Sequence, residues 1–90
     1  MKTYKTILSN LKDNQVLIEK SEYHDQSFGS WYIQTNSLPT YRIAHDGRDK
    51  TIALKIKRNG EWDCLLFDKT ISGKHVLKKL LTELKEKREP

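Results

Sequence analysis

Thr51-Ile52-Ala53-Leu54-Lys55-Ile56-Lys57, then Arg58-Asn59-Gly60-Glu61, then Trp62-Asp63-Cys64-Leu65-Leu66-Phe67, is the stretch whose reading decides the fold. Its first run alternates apolar and polar residues, as a strand with one buried face requires. Asn59-Gly60 between two such runs signals a hairpin, because both residues tolerate the positive φ of a type I′ turn. A two-residue loop sets the register: Arg58 faces Glu61, Ile56 faces Asp63, Leu54 faces Leu65 and Ile52 faces Phe67. One face of the hairpin then carries Ile52, Leu54, Ile56, Leu65 and Phe67, and is expected to be core. The other carries Ala53, Lys55, Lys57, Trp62, Cys64 and Leu66, with Trp62 opposite Lys57 and Cys64 opposite Lys55. That second face is where a function is expected.

Working outward, Thr40 to His45 reads as a preceding strand, closed by the turn Asp46-Gly47-Arg48-Asp49. A hairpin here places Ile43 opposite Ile52 and Tyr41 opposite Leu54, on the same core face. Arg42 and Ala44 then join Trp62. The two turns agree on which residues point inward, which favours an antiparallel meander. Ser30 to Thr35, rich in aromatic and β-branched residues, is a further strand, ended by Asn36-Ser37-Leu38-Pro39. Gln15 to Glu19 is a β-like run that extends toward Tyr23, and Ser21 to Gly29 reads as a polar loop or frayed strand end. Trp31 and Ile33 are expected on the face of Trp62, either under a helix or open to a partner.

Tyr4, Ile7, Leu8 and Leu11 follow helical spacing, so a short helix is expected over 4–13, with Thr3 as N-cap and Asn14 as the left-handed residue after its end. A longer helix is expected over 73–87, where Val76, Leu77, Leu80, Leu81 and Leu84 share one arc. Ser72 suits its N-cap, and Ile71 and Val76 stand at the spacing of a hydrophobic staple. The expected fold class is α+β: an antiparallel β-meander of four to five strands with a short N-terminal helix and a longer C-terminal amphipathic helix packed on the sheet.

The chain has 90 residues, enough for one domain spanning 1–90 with a modest core. Its single cysteine, Cys64, allows no internal disulfide, and no run is apolar enough for a signal peptide or a membrane span. A cytoplasmic place is the resulting expectation. The net charge is +5, and its placement is uneven: residues 69–90 hold seven basic and three acidic residues, while 1–28 hold four of each. That asymmetry permits an anionic partner.

Catalytic constellations are sparse. His24, His45 and His75 fall in different elements, none at metal-ligand spacing with Cys64, so no metal or cofactor is expected. The turn from His45 to Asp49 gathers an imidazole, two carboxylates and Arg48, which is either a hydrolytic site or ordinary solvated turn chemistry. The second explanation is the simpler, and the chain is read as non-enzymatic. Cys64 reads as a small buried hydrophobe, the alternative being a thiol activated by Lys55.

Charge placement is more informative. Lys74, Lys78 and Lys85 fall on one stripe of the last helix with no acid among them, suited to phosphate contact. Cations near a helix C-terminus complement its dipole, which accounts for Lys85 but not for Lys74 and Lys78. Arg42, Lys55 and Lys57 share the second sheet face with Trp62, and exposed aromatics flanked by cations can stack bases.

Pro39-Thr40-Tyr41, the hairpin, and Ser72-Gly73-Lys74-His75-Val76-Leu77-Lys78-Lys79-Leu80-Leu81 are similar in order to double-stranded-RNA-binding domains. In that family a basic pair opens the last helix, and the resemblance implies phosphate contact by Lys74 and His75, with Leu77, Lys78, Leu80 and Leu81 at the positions of an Ala-Lys-x-x-Ala-Ala core. Leucines stand where that core has alanines, the Gly-Pro-x-His turn is missing, and the strands at 15–35 stand where the family has a helix. The functional expectation is a small binding module for nucleic acid or another anionic partner, using the basic helix and sheet face. The alternative is a protein–protein module, such as an immunity protein or antitoxin that inhibits its partner.

Overall fold

Five antiparallel strands follow one another across a single sheet, each hydrogen-bonded to its neighbour in the chain. The computed structural model describes residues 2–69 and 73–88. The elements are α1 (Lys2–Asp13), β1 (Ile18–His24), β2 (Ser30–Thr35), β3 (Tyr41–Asp46), β4 (Thr51–Arg58), β5 (Glu61–Asp68) and α2 (Lys74–Arg88). This is the expected α+β meander with a short first helix and a longer last one.

Both helices lie on one face of the sheet. Ile7 and Leu11 of α1, and Val76 and Leu80 of α2, join Trp31, Ile33, Tyr41, Ile43, Ile52, Leu54 and Ile56 in one buried cluster. The spacing of apolar residues in each helix explains this, since only one stripe of each can leave water. Tyr4 fixes α1 further: its ring lies 5.5 Å from that of Trp31, and its hydroxyl donates to Ser21 Oγ at 2.9 Å. Gly73 stands where the two helices meet. At φ +69°, a Cβ there would come within 2.6 Å of Ile7 Cδ1 and 3.2 Å of Ile52 Cδ1.

The ends of α1 differ from expectation. The helix begins at Lys2, so Thr3 lies inside its first turn rather than capping it. The left-handed residue at its end is Gln15 (φ 62°), not Asn14. Val16 N donates to Leu11 O and Gln15 N to Lys12 O, the paired bonds of a Schellman motif. The Asn14 side chain donates instead to Asn10 O. At α2, Ser72 and Ile71 lie outside the described residues, and Gly73 O accepts the first helical bond, from Leu77 N.

Two registers also differ. The β3–β4 loop is the four residues Gly47–Lys50, so Tyr41 faces Ile56, Ile43 faces Leu54 and His45 faces Ile52. The shift is two residues, which keeps every side chain on its expected face. Asp46 accepts from the backbone N–H of Arg48 and Asp49, and Lys50 takes positive φ (56°), so four residues close the turn. The Asn59-Gly60 turn forms as expected, with φ of 53° and 81°. Further along β5, however, Lys55 faces Cys64 while Leu54 faces Leu66, leaving Leu65 as the extra residue of a bulge. Beyond it the faces invert: Leu66 packs against the core and Phe67, opposite Ala53, is 57% exposed. The bulge lets two successive leucines, Leu65 and Leu66, pack on the core.

The strand expected from Gln15 starts instead at Ile18, and of the two readings of the segment 21–24 the strand end holds, since β1 pairs with β2 from Ile18 to His24. The resemblance to double-stranded-RNA-binding domains departs here, because β1 and β2 occupy the stretch where that family has a helix.

Candidate functional site

The sheet has one covered face and one open face, and the alternation of β2 decides what the open one holds. Trp31 pairs with His45 and Ile33 with Ile43, so both belong to the covered face. Trp31 is 3% exposed. The expectation that Trp31 and Ile33 share a face with Trp62 is therefore corrected, and Tyr32 and Gln34 take their place. The more apolar members of the alternation point inward, a signal present in Trp31-Tyr32-Ile33-Gln34 itself.

On the open face the chain brings Arg42, Lys55, Lys57 and Trp62 together. Lys55 lies opposite Arg42, and Lys57 opposite Trp62. The Arg42 guanidinium carbon is 4.7 Å from the Tyr32 ring centre and 4.6 Å from that of Trp62. Its Nε and Nη2 donate to Gln34 Oε1 at 3.1 and 2.6 Å. Gln34, itself buried, donates from Nε2 to Glu19 Oε2 at 2.8 Å. Glu19 is the extra residue of a second bulge, between Ile18 and Lys20. A chain of three side chains therefore holds the guanidinium against two aromatic rings, with Lys57 Nζ 5.9 Å from the indole. Such cation–π contacts order a cation without neutralising it.

The Tyr32 hydroxyl donates to Glu22, and this raises the phenol's pKa above its ordinary 10.0; burial and the Glu22 charge add to the effect, and Arg42 opposes it. Beside the stack is a shallow depression of about 330 Å³ on the strands, lined among others by His24, Tyr32, Arg42, Ala44 and Lys55. Ala44 is what makes the hollow, since a methyl group leaves room between longer neighbours.

Lys74, Lys78 and Lys85 also share a surface, as their spacing predicts, but a different one. They line a groove along α2 with Leu77, Leu81 and Thr82. Because α2 covers the opposite side of the sheet, this stripe and the Arg42 face lie on opposite layers. His75 instead meets Asp68, Nδ1 to Oδ2 at 3.0 Å.

Cys64 is exposed, on the open face at the edge strand, where no helix reaches it; the expectation of a buried cysteine is corrected. Sequence reasoning also grouped His45 and Arg48. His45 packs its ring 5.6 Å from Trp31 with Nδ1 2.9 Å from Thr51 O, whereas Arg48 is exposed above Phe28. Among the described residues no group of three or more His, Cys, Asp or Glu side chains is placed to hold a metal, and no helix is long and apolar enough to cross a membrane.

Comparison with protein-family models, curated proteins and solved structures gives no match for this chain.

Proposed function

We propose that the chain is a non-enzymatic binding module whose open sheet face takes single-stranded nucleic acid. The observation that carries this is the Arg42 guanidinium held between Tyr32 and Trp62, beside Lys55 and Lys57, on a face that no helix covers. Aromatic rings on an open sheet offer stacking area to any base, and flanking cations meet the phosphates. The hollow over Ala44 leaves room for a ring beside Tyr32. With Trp31 in the core, the open face does not gather both tryptophans, the arrangement that would favour a protein partner. Lys74, Lys78 and Lys85 lie on the other layer, so a short strand seated on Arg42 does not reach them. The lone cysteine supports a cytoplasmic place.

A second reading rests on Phe67. Exposed beside Ala53 on the same face as Trp62 and Arg42, it gives the aromatic and arginine composition of a protein hot spot.

Titration of Trp62 fluorescence with short single- and double-stranded RNA and DNA at two salt concentrations separates the two. Nucleic-acid binding predicts quenching by single strands that fades as salt rises, and a loss of about 1–3 kcal/mol in Trp62→Ala when binding is read from the anisotropy of a labelled oligonucleotide. No response to any of the four, or binding indifferent to salt, would refute it.

A further inference from the structure

The outer side of α2 carries an apolar strip bordered by three lysines and a threonine. Leu77 and Leu81 pack partly on the core and leave the rest of their surface in a groove of about 370 Å³. Lys74, Lys78 and Lys85, all exposed, line it, and Thr82 closes the set. The six positions follow the helical repeat, so the strip runs about 16 Å along the helix. Among the described residues, none of those lining it is a carboxylate. Glu83 turns away to pair with Lys79 at 3.6 Å and to accept from the Tyr41 hydroxyl, and Glu86, next to Lys85 and exposed, lies outside the groove's lining.

The helix dipole accounts for Lys85 but not for Lys74 and Lys78: α2 has no acid in its first turn, and Lys74 stands there instead, where the dipole disfavours a cation. An anionic partner gives these charges a use. We propose that this strip docks an acidic amphipathic helix of another protein, its apolar residues on Leu77 and Leu81 and its carboxylates on Lys74, Lys78 and Lys85.

Charge and shape select this occupant. A second copy of the chain would set one lysine stripe against another, a like-charge pairing that opposes association. A nucleic-acid backbone would satisfy the lysines but leave the two leucines facing a polar chain. A helix with apolar residues three and four apart matches both the floor and the rim.

The test uses the full chain and a synthetic peptide helix with leucines on one face and glutamates flanking them. A control peptide has the same composition with the leucines scattered. Amide chemical-shift mapping should show the first peptide perturbing residues 74–85 and sparing Arg42, Lys55 and Trp62. Lys78→Glu, exposed and remote from the core, should weaken binding by about two- to thirtyfold, since one attraction becomes a repulsion. Any of three results would overturn the proposal: no binding at about 1 mM peptide, equal binding of the scattered control, or displacement of the peptide from α2 by an oligonucleotide. Because the sheet face is read separately, its failure and that of α2 are distinguishable.

Discussion

Arg42→Lys tests whether the guanidinium fork, rather than positive charge alone, orders the open face. Lysine keeps the charge but has neither the planar group that lies against the rings nor the two donors that converge on Gln34 Oε1. From the structure, the loss comprises one net hydrogen bond, about 0.5–1.5 kcal/mol, and the Trp62 stack, about 0.5–1 kcal/mol. The sum is about 1–2.5 kcal/mol, with the Tyr32 contact acting in the same direction. A chain of this length has a total stability of roughly 5–13 kcal/mol, so the substitution is large enough to measure and too small to unfold the protein. Urea unfolding followed by circular dichroism should show a lower midpoint with unchanged slope, and thermal unfolding a Tm lowered by about 4–20 °C. A double-mutant cycle with Gln34→Ala should show coupling, because Gln34 acts largely through Arg42. Stability within about 0.3 kcal/mol of the parent, with zero coupling, would refute the reasoning. The open face would then be ordered by the strands alone.

The bulge at Leu65 makes a paired prediction: Leu66→Ala should cost about 2–3 kcal/mol, and Phe67→Ala below about 2, since more than half of the ring is already in water. An unbulged register gives the reverse order, so equilibrium unfolding of the two variants decides between them. Gly73→Ala should lower stability by about 1–3 kcal/mol, combining the cost of a side chain at φ +69° with the overlap on Ile7, and an unchanged urea midpoint would contradict the packing described. Tyr41, fully buried, has its pKa pushed up to about 12 by burial first and then by the charge and hydrogen bond of Glu83. The folded protein therefore keeps this proton when the unfolded chain releases it. The stability linked to Tyr41 is intact below pH 10 and falls as pH rises toward 12. Tyr41→Phe should flatten that fall, and parallel slopes for the two proteins between these pH values would sink the assignment.

Much of the fold was legible because its signals are local. Asn59-Gly60 requires positive φ whatever surrounds it, and the alternation of Ile52, Leu54 and Ile56 names a buried face without reference to anything distant. The stripe of Lys74, Lys78 and Lys85 likewise follows from helical geometry alone. At the candidate site, Arg42, Lys55, Lys57 and Trp62 were legible because two hairpin turns fix their parity, and a two-residue error in one loop leaves parity intact.

What the tertiary structure decided is of another kind. Asn36-Ser37-Leu38-Pro39 does not announce the parity of β2 against β3, so the inward hint in Trp31-Tyr32-Ile33-Gln34 becomes a definite facing only where Trp31 packs under α1, its ring 5.5 Å from that of Tyr4. The bulge at Leu65 carries no mark in the local sequence. It leaves one residue of β5 unpaired, a cost offset by the core contacts that Leu65 and Leu66 both gain. Cys64 and Phe67 are exposed for the complementary reason, that both helices occupy the other face. The sequence determined which residues alternate, where the chain turns and which face of β4 is buried; packing between distant segments determined the facing of β2 and of β5 beyond its bulge.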